Sequence, residues 1–201
     1  MANYTIKPKT GALSVGGQPV NLRVLQDLVL DANGAFYNLV LTYLVASAGL
    51  TPVYDDKNYP EFMKGVAGVF PGKATVDARA DLAECVKLAR DGTIPQRQAE
   101  ISLCCMLANA AYESIAKGDK DKLKGHSAFE FLRHTRNAAS HRNVWHFFPN
   151  EPSTHAEWNK IVLDESRKGD LNPLQNHACF YGTLQPADLL YLLRDVERLL
   201  I

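Results

Sequence analysis

Apolar residues return at three- and four-residue intervals in five separate stretches of this 201-residue chain, and strand-like alternation is almost absent. A stripe with that period buries one face of a helix, so the chain has to pack helices against one another. The first stripe follows Asn21, a candidate N-cap, and takes in Leu22, Leu25, Leu28, Val29, Phe36, Leu39, Val40 and Tyr43, with Gly34 as a point of kinking and Gly49 as the stop. A second helix is expected over 76–90, capped by Thr75, with Ala78, Leu82, Cys85, Val86 and Ala89 inward and Gly92 ending it. Thr93-Ile94-Pro95-Gln96 has the spacing of a capping box with proline in the first turn. The helix it opens should bury Ala99, Leu103, Met106, Leu107 and Ala110 and end at Gly118, before a turn over 117–121. A fourth helix is expected over about 122–140, with Ala128, Phe131, Leu132, Thr135 and Ala139 inward. The last starts at Pro186 and buries Leu189, Leu190, Leu193, Val196 and Leu200.

Between these stripes the chain is punctuated. Residues 1–20 are broken by Pro8, Gly11, Gly16-Gly17 and Pro19, and 51–74 carries Pro52, Pro60 and Pro71 with Gly65, Gly68 and Gly72. The segment 149–183 is polar, with a short strand expected around 160–163. The expected fold is all-α: an up-and-down bundle of about five helices with a long loop at 51–74 and a mostly irregular insert at 149–183. Its length suits one domain, residues 1–201.

Composition removes several function classes. Lys plus Arg equals Asp plus Glu, 22 each, so no whole-surface charge is available to grip nucleic acid or membrane, and any such grip must be local. The most apolar stretch, 35–50, is too short for a membrane span and contains Asn38, Thr42 and Ser47; the N-terminus lacks the apolar core of a signal peptide. Cys85, Cys104, Cys105 and Cys179 form no CxxC pair and read as small buried hydrophobes of a reduced compartment, which places the protein in the cytoplasm. The run from Gly68 to Thr75 approaches a phosphate-binding loop but has three residues between its glycines and Ala74 where a magnesium-ligating hydroxyl belongs. No GxSxG elbow accompanies Ser140. An ATPase or a serine hydrolase is therefore not expected.

Charge is concentrated in one place. Residues 121–146 hold His126, His134, His141 and His146 together with Lys122, Lys124, Arg133, Arg136 and Arg142, against Asp121 and Glu130, for a local net charge of +3. A basic, histidine-rich helix on a neutral protein suggests a surface that handles phosphate. Histidine titrates nearest neutral pH and suits proton transfer, while arginine stays charged and matches phosphate oxygens with its fork of donors.

Within that segment the run Phe131-Leu132-Arg133-His134-Thr135-Arg136-Asn137-Ala138-Ala139-Ser140-His141 places a histidine five positions after an arginine that a polar residue follows. It resembles the RxxxxH motif of the HEPN superfamily, small helical bundles that include metal-independent endoribonucleases of toxin–antitoxin and defence systems and non-catalytic partners of nucleotidyltransferases. The resemblance covers about 94–145. It implies an endoribonuclease that leaves 2′,3′-cyclic phosphate ends, with His141 as acid/base, Arg136 as phosphate clamp and Asn137 as positioning partner. Arg133 and Arg142 would be further substrate contacts. No metal and no cofactor is implied; RNA, an antitoxin or a nucleotidyltransferase are the implied partners. The same fold also carries a non-catalytic binding or scaffolding module.

Helix geometry adds a constraint. Five residues at 100° each separate Arg136 from His141 by about 140°, whereas Arg133, Asn137 and His141 share a face. Either the helix distorts near Ser140, or two chains pair so that residues of both line one cleft; the resemblance implies the second, a homodimer. Each residue also has a plainer use: Arg136 pairing with a carboxylate of a neighbouring helix, His141 ending its helix against the dipole. His126, His134 and His146 read as structural, and Trp145, Phe147 and Phe148 as covering the end of the bundle.

Overall fold

Phe36, Val40 and Tyr43 turn inward as their spacing dictates, but the helix that carries Val40 and Tyr43 opens at Tyr37 and not after Asn21. The computed structural model describes residues 3–6, 14–15, 18–19, 28–31, 33–55, 58–59, 67–70 and 78–200. Strand β1 (Asn3–Ile6) is followed by the short pair β2 (Ser14–Val15) and β3 (Gln18–Pro19). Leu28–Asp31, expected to be helical, is strand β4, antiparallel to β1 with Asn3 opposite Asp31. A short apolar run fits a strand as well as a helix, and here a partner strand decides it.

Helix α1 (Tyr37–Asp55) runs through Gly49, the expected stop, and through Pro52. Its last turn is held from outside: Arg90 donates to the carbonyls of Pro52 and Val53, and the Tyr54 hydroxyl donates to the Ile94 carbonyl at 2.8 Å. Part of the expected 51–74 loop is thus helix, part is strand β5 (Ala67–Phe70), and the rest apart from residues 58–59 lies outside the described residues, as do Thr75 and the proline-glycine end of the near phosphate loop. Strand β6 (Ala78–Asp81) pairs with β5 and takes the first residues of the expected second helix. Helix α2 (Leu82–Leu88) is capped by Asp81, whose carboxylate accepts from the amides of Ala83 and Glu84 at 3.0 and 3.2 Å. A wide turn, Ala89–Thr93, follows and contains Gly92, whose φ of 83° only glycine adopts readily.

Helix α3 (Gln96–Ser114) starts at Pro95 without a side-chain cap. The expected capping box does not form: Thr93 belongs to the preceding turn, and the Gln96 amide donates forward to Glu100 at 3.1 Å. Helix α4 (Lys117–Leu123) occupies the expected turn, with the amides of Asp119 and Lys120 on the Ala116 carbonyl. Helix α5 (Ser127–Ser140) carries the motif. Strands β7 (Ala156–Trp158) and β8 (Ile161–Leu163) form a hairpin inside the expected irregular segment, and α6 (Pro186–Glu197) closes the chain's helices with Gln185 and Asp188 capping each other's backbone.

Six α-helices thus dominate the described residues, and no strand among them exceeds four residues. Helix α5 packs against α3, α6 and β7, and α3 packs against α1 and α6. Phe131, Leu132 and Ala138 of α5 are fully buried with Trp145, Phe180, Leu189 and Leu192. Both tryptophans lie against Phe131, and each indole N–H has a partner: Trp145 donates to Thr183 Oγ1 at 2.9 Å and Trp158 to Asp195 Oδ2 at 3.1 Å. Cys104 and Cys179 are buried as expected, whereas Cys85 is exposed, and all four cysteines are free. Among the described residues, no helix is long and apolar enough to cross a membrane.

Candidate functional site

The two arginines of the motif helix have different surroundings. Arg133 joins its own helix to the segment that follows α5: its Nε donates to Glu130 Oε2 one turn back, and its Nη1 to Glu151 Oε1, each at 2.7 Å. Burial opposes the charge on Arg133, but the two carboxylates outweigh it and raise its pKa. Burial likewise pushes Glu130 up, yet the Gly125 amide and Arg133 bring it below the usual carboxylate range. As a phosphate contact Arg133 is therefore already occupied: two partly or wholly buried carboxylates hold it.

His134 completes this cluster. Its ring is 1% exposed and lies against Phe147, and its Nε2 sits 2.9 Å from Arg133 Nη2. A guanidinium only donates, so Nε2 accepts and the imidazole proton resides on Nδ1. That Nδ1 is buried with no partner among the described residues. Burial, then the Arg133 charge, lower the His134 pKa to about 4. His134 is a neutral core histidine.

Arg136, one turn on, points toward α3. Its Nη2 donates to Glu113 Oε1 at 2.5 Å and its Nη1 to Asn137 Oδ1 at 3.3 Å, and its guanidinium lies 5.6 Å from the centre of the Tyr112 ring. The carboxylate of a neighbouring helix that sequence reasoning allowed for is thus Glu113. It is more than half exposed, at 54%, and its second oxygen takes Lys120 Nζ at 3.4 Å. The hydrogen bond from Arg136 is the main cause that lowers the Glu113 pKa. Arg136 Nε remains buried and without a partner among the described residues.

His141 is the C-cap of α5: its amide donates to the carbonyls of Asn137 and Ala138 at 3.0 and 3.1 Å. The helix ends there, so His141 leaves the regular 100° progression, and its ring is exposed. Arg142 and Asn143 follow with φ of 59° and 66°, two left-handed residues in succession. That reversal brings His146 back over His141, ring centres 4.4 Å apart and planes 31° apart, and Phe148 stands edge-on to His146 at 5.1 Å. The turn is fixed by Asn143, whose side chain donates to the Phe180 carbonyl at 2.9 Å and accepts from the Phe180 amide at 2.7 Å. Ser140 Oγ donates to Asn109 Oδ1 at 2.7 Å and fastens the end of α5 to α3.

The motif residues therefore divide. Arg136 and Asn137 hydrogen-bond each other on the α3 side, His141 sits with His146 at the helix end, and Arg133 belongs to the buried cluster; Arg142 is exposed. Among the described residues, Arg136 and His141 share no hydrogen bond, and no group of three or more His, Cys, Asp or Glu converges as metal ligands would. Trp145 and Phe147 cover the bundle end, but Phe148 is 55% exposed. His146, read from sequence as structural, stacks on His141 at the helix end. Its signal was the spacing of five from His141 across Asn143, a residue that tolerates left-handed backbone. No protein-family model, no curated protein and no solved structure matches the chain.

Proposed function

We propose that this protein is an endoribonuclease of HEPN type, which cleaves RNA to 2′,3′-cyclic phosphate ends without a metal ion and does so as a homodimer with a site shared between protomers. The observation that carries this reading is the imidazole pair of exposed His141 and half-buried His146 at the end of the helix whose Arg136 is held by a surface carboxylate. An exposed ion pair contributes little, so a phosphate displaces Glu113 from Arg136 at small cost. In the reaction a neutral imidazole takes the proton of the ribose 2′-hydroxyl, the 2′-oxygen attacks phosphorus, and the bond from phosphorus to the 5′-oxygen breaks as that oxygen receives a proton. His141 acts in proton transfer, Arg136 holds the negative charge that builds on the phosphate, and Asn137 orients the Arg136 guanidinium. A second copy brings a second Arg136 and His141 into one cleft, where a single chain leaves Arg136 on the α3 side and His141 at the helix end. The resemblance further points to a toxin or anti-phage role in the cytoplasm, with an antitoxin or a nucleotidyltransferase as partner.

One observation favours the rival, a non-catalytic binding or scaffolding module: Arg136 is already engaged by Glu113 and Asn137. Cleavage assays in excess EDTA with end-group analysis separate the two. Wild type should cut and leave cyclic phosphate ends, and Arg136→Ala and His141→Ala should each lose on the order of 10²–10⁴ in rate while remaining folded. Absence of cutting across varied RNAs, or equal rates in the variants, would hand the assignment to the binding module.

A further inference from the structure

A cleft of about 410 Å³ lies between α4, the ends of α3 and α5 that face it, and residues 153–154. That volume falls within the range of small-ligand sites. Lys117 and Lys120 of α4, three residues apart on that helix, and Lys124, which caps its C-terminus, line it opposite Arg133. Its cations outnumber its carboxylates, Asp121 and Glu130, and Glu130 is already committed to Arg133 and the Gly125 amide. Lys117 and Lys124 have no carboxylate partner among the described residues. Ser153 and Thr154 supply hydroxyls, and Thr154 Oγ1 is buried with no hydrogen-bond partner among the described residues. Tyr112 forms part of the wall, stacked on Phe129 at 5.8 Å with Lys120 Nζ 4.4 Å from its ring centre.

The cleft adjoins the motif. Glu113 holds Arg136 with one oxygen and the cleft lysine Lys120 with the other, and Arg136 and Lys120 both lie over Tyr112. We infer that this cleft binds a backbone phosphate of the substrate strand beside the scissile one, with Lys117, Lys120 and Lys124 as its cations and Thr154 as a hydroxyl donor. The inference rests on the endoribonuclease reading for the identity of the strand. The site itself is separable from cleavage, because none of these residues takes part in proton transfer.

The test is the binding of a 2′-O-methyl oligoribonucleotide, which cannot be cleaved, over a range of salt concentrations. Lys117→Gln/Lys124→Gln should weaken it by about tenfold and reduce the salt slope by up to about 0.7, as expected for the loss of one phosphate contact on a single strand. Lys122→Gln, whose lysine is paired with Asp119 and does not line the cleft, should leave both unchanged. Thr154→Val should weaken binding less, without lowering thermal stability. Wild type that binds this oligoribonucleotide through the cleft but cleaves no RNA would count against the nuclease reading alone. Wild-type affinity and slope in both cleft variants would overturn the inference. So would an equal loss in Lys122→Gln, which would make the effect one of general charge. Inorganic phosphate bound at millimolar concentration with no oligonucleotide binding would overturn the assignment to a strand and leave a free-phosphate site.

Discussion

Arg133 and Arg136 stand one turn apart on the same helix, and their carboxylate partners differ in burial. The side chains of Glu130 and Glu151 are 4% and 18% exposed, whereas that of Glu113 is 54% exposed. Ions paired away from water cannot exchange partners without leaving a charge uncompensated, but a pair at the surface exchanges with solvent and solutes freely. The same residue type thus serves as architecture at one position and as an available cation at the other, and the difference lies in the partner.

The sharpest way to expose that contrast is to truncate each arginine. Arg133→Ala leaves the Glu130 carboxylate buried and should cost about 3–5 kcal/mol in denaturant unfolding. Arg136→Ala should cost less than about 1 kcal/mol by the same measurement. Equal costs would erase the distinction.

A smaller effect comes through pH. His134, with a pKa of about 4 in the fold, stays neutral there while the unfolded chain binds a proton below the ordinary histidine value near 6.5. Stability should therefore fall as pH drops from about 6.5 to about 4, by on the order of 3 kcal/mol. Glu130, lowered in the fold, adds a loss of the same sign as pH falls further through its own pKa. His134→Gln, which keeps an acceptor for Arg133, should flatten the upper part of that profile; an unchanged profile would place the titration elsewhere. The smallest change should come from Glu113→Gln, which loosens the hold on Arg136. Stability should shift by less than about 1 kcal/mol, and RNA affinity should rise by about fivefold. A loss of affinity would show instead that Glu113 orients Arg136 productively.

The sequence made α5 and α6 readable because each has one apolar face with polar neighbours: Phe131, Leu132, Thr135 and Ala139, and Leu189, Leu193 and Val196, are buried as their spacing requires. Helix α3 was read with its face turned. Its buried residues are Cys104, Leu107, Ala108 and Ala111, and Met106 is 67% exposed. Small apolar residues lie on both sides of that helix, so period alone does not choose between adjacent stripes. Helix α4 was hidden because Lys117-Gly118-Asp119-Lys120-Asp121 has the composition of a turn, and Leu123 is its single buried residue. At the candidate site, the motif residues were visible, and so was the kind of partner Arg136 would take. The identity of Glu113, 23 residues earlier, and the return of His146 over His141 depend on tertiary packing and on two left-handed residues that no local pattern announces.

The clip between Asn143 and Phe180 spans 37 residues of chain. During synthesis α5 emerges well before the residue that secures the turn at its end, so a nascent chain has the arginine of the motif on its helix before the imidazole pair has a fixed place. Until the later segment docks, the left-handed turn after α5 lacks the two hydrogen bonds that fix it, so the placing of His146 over His141 belongs to the folded chain and not to α5 alone.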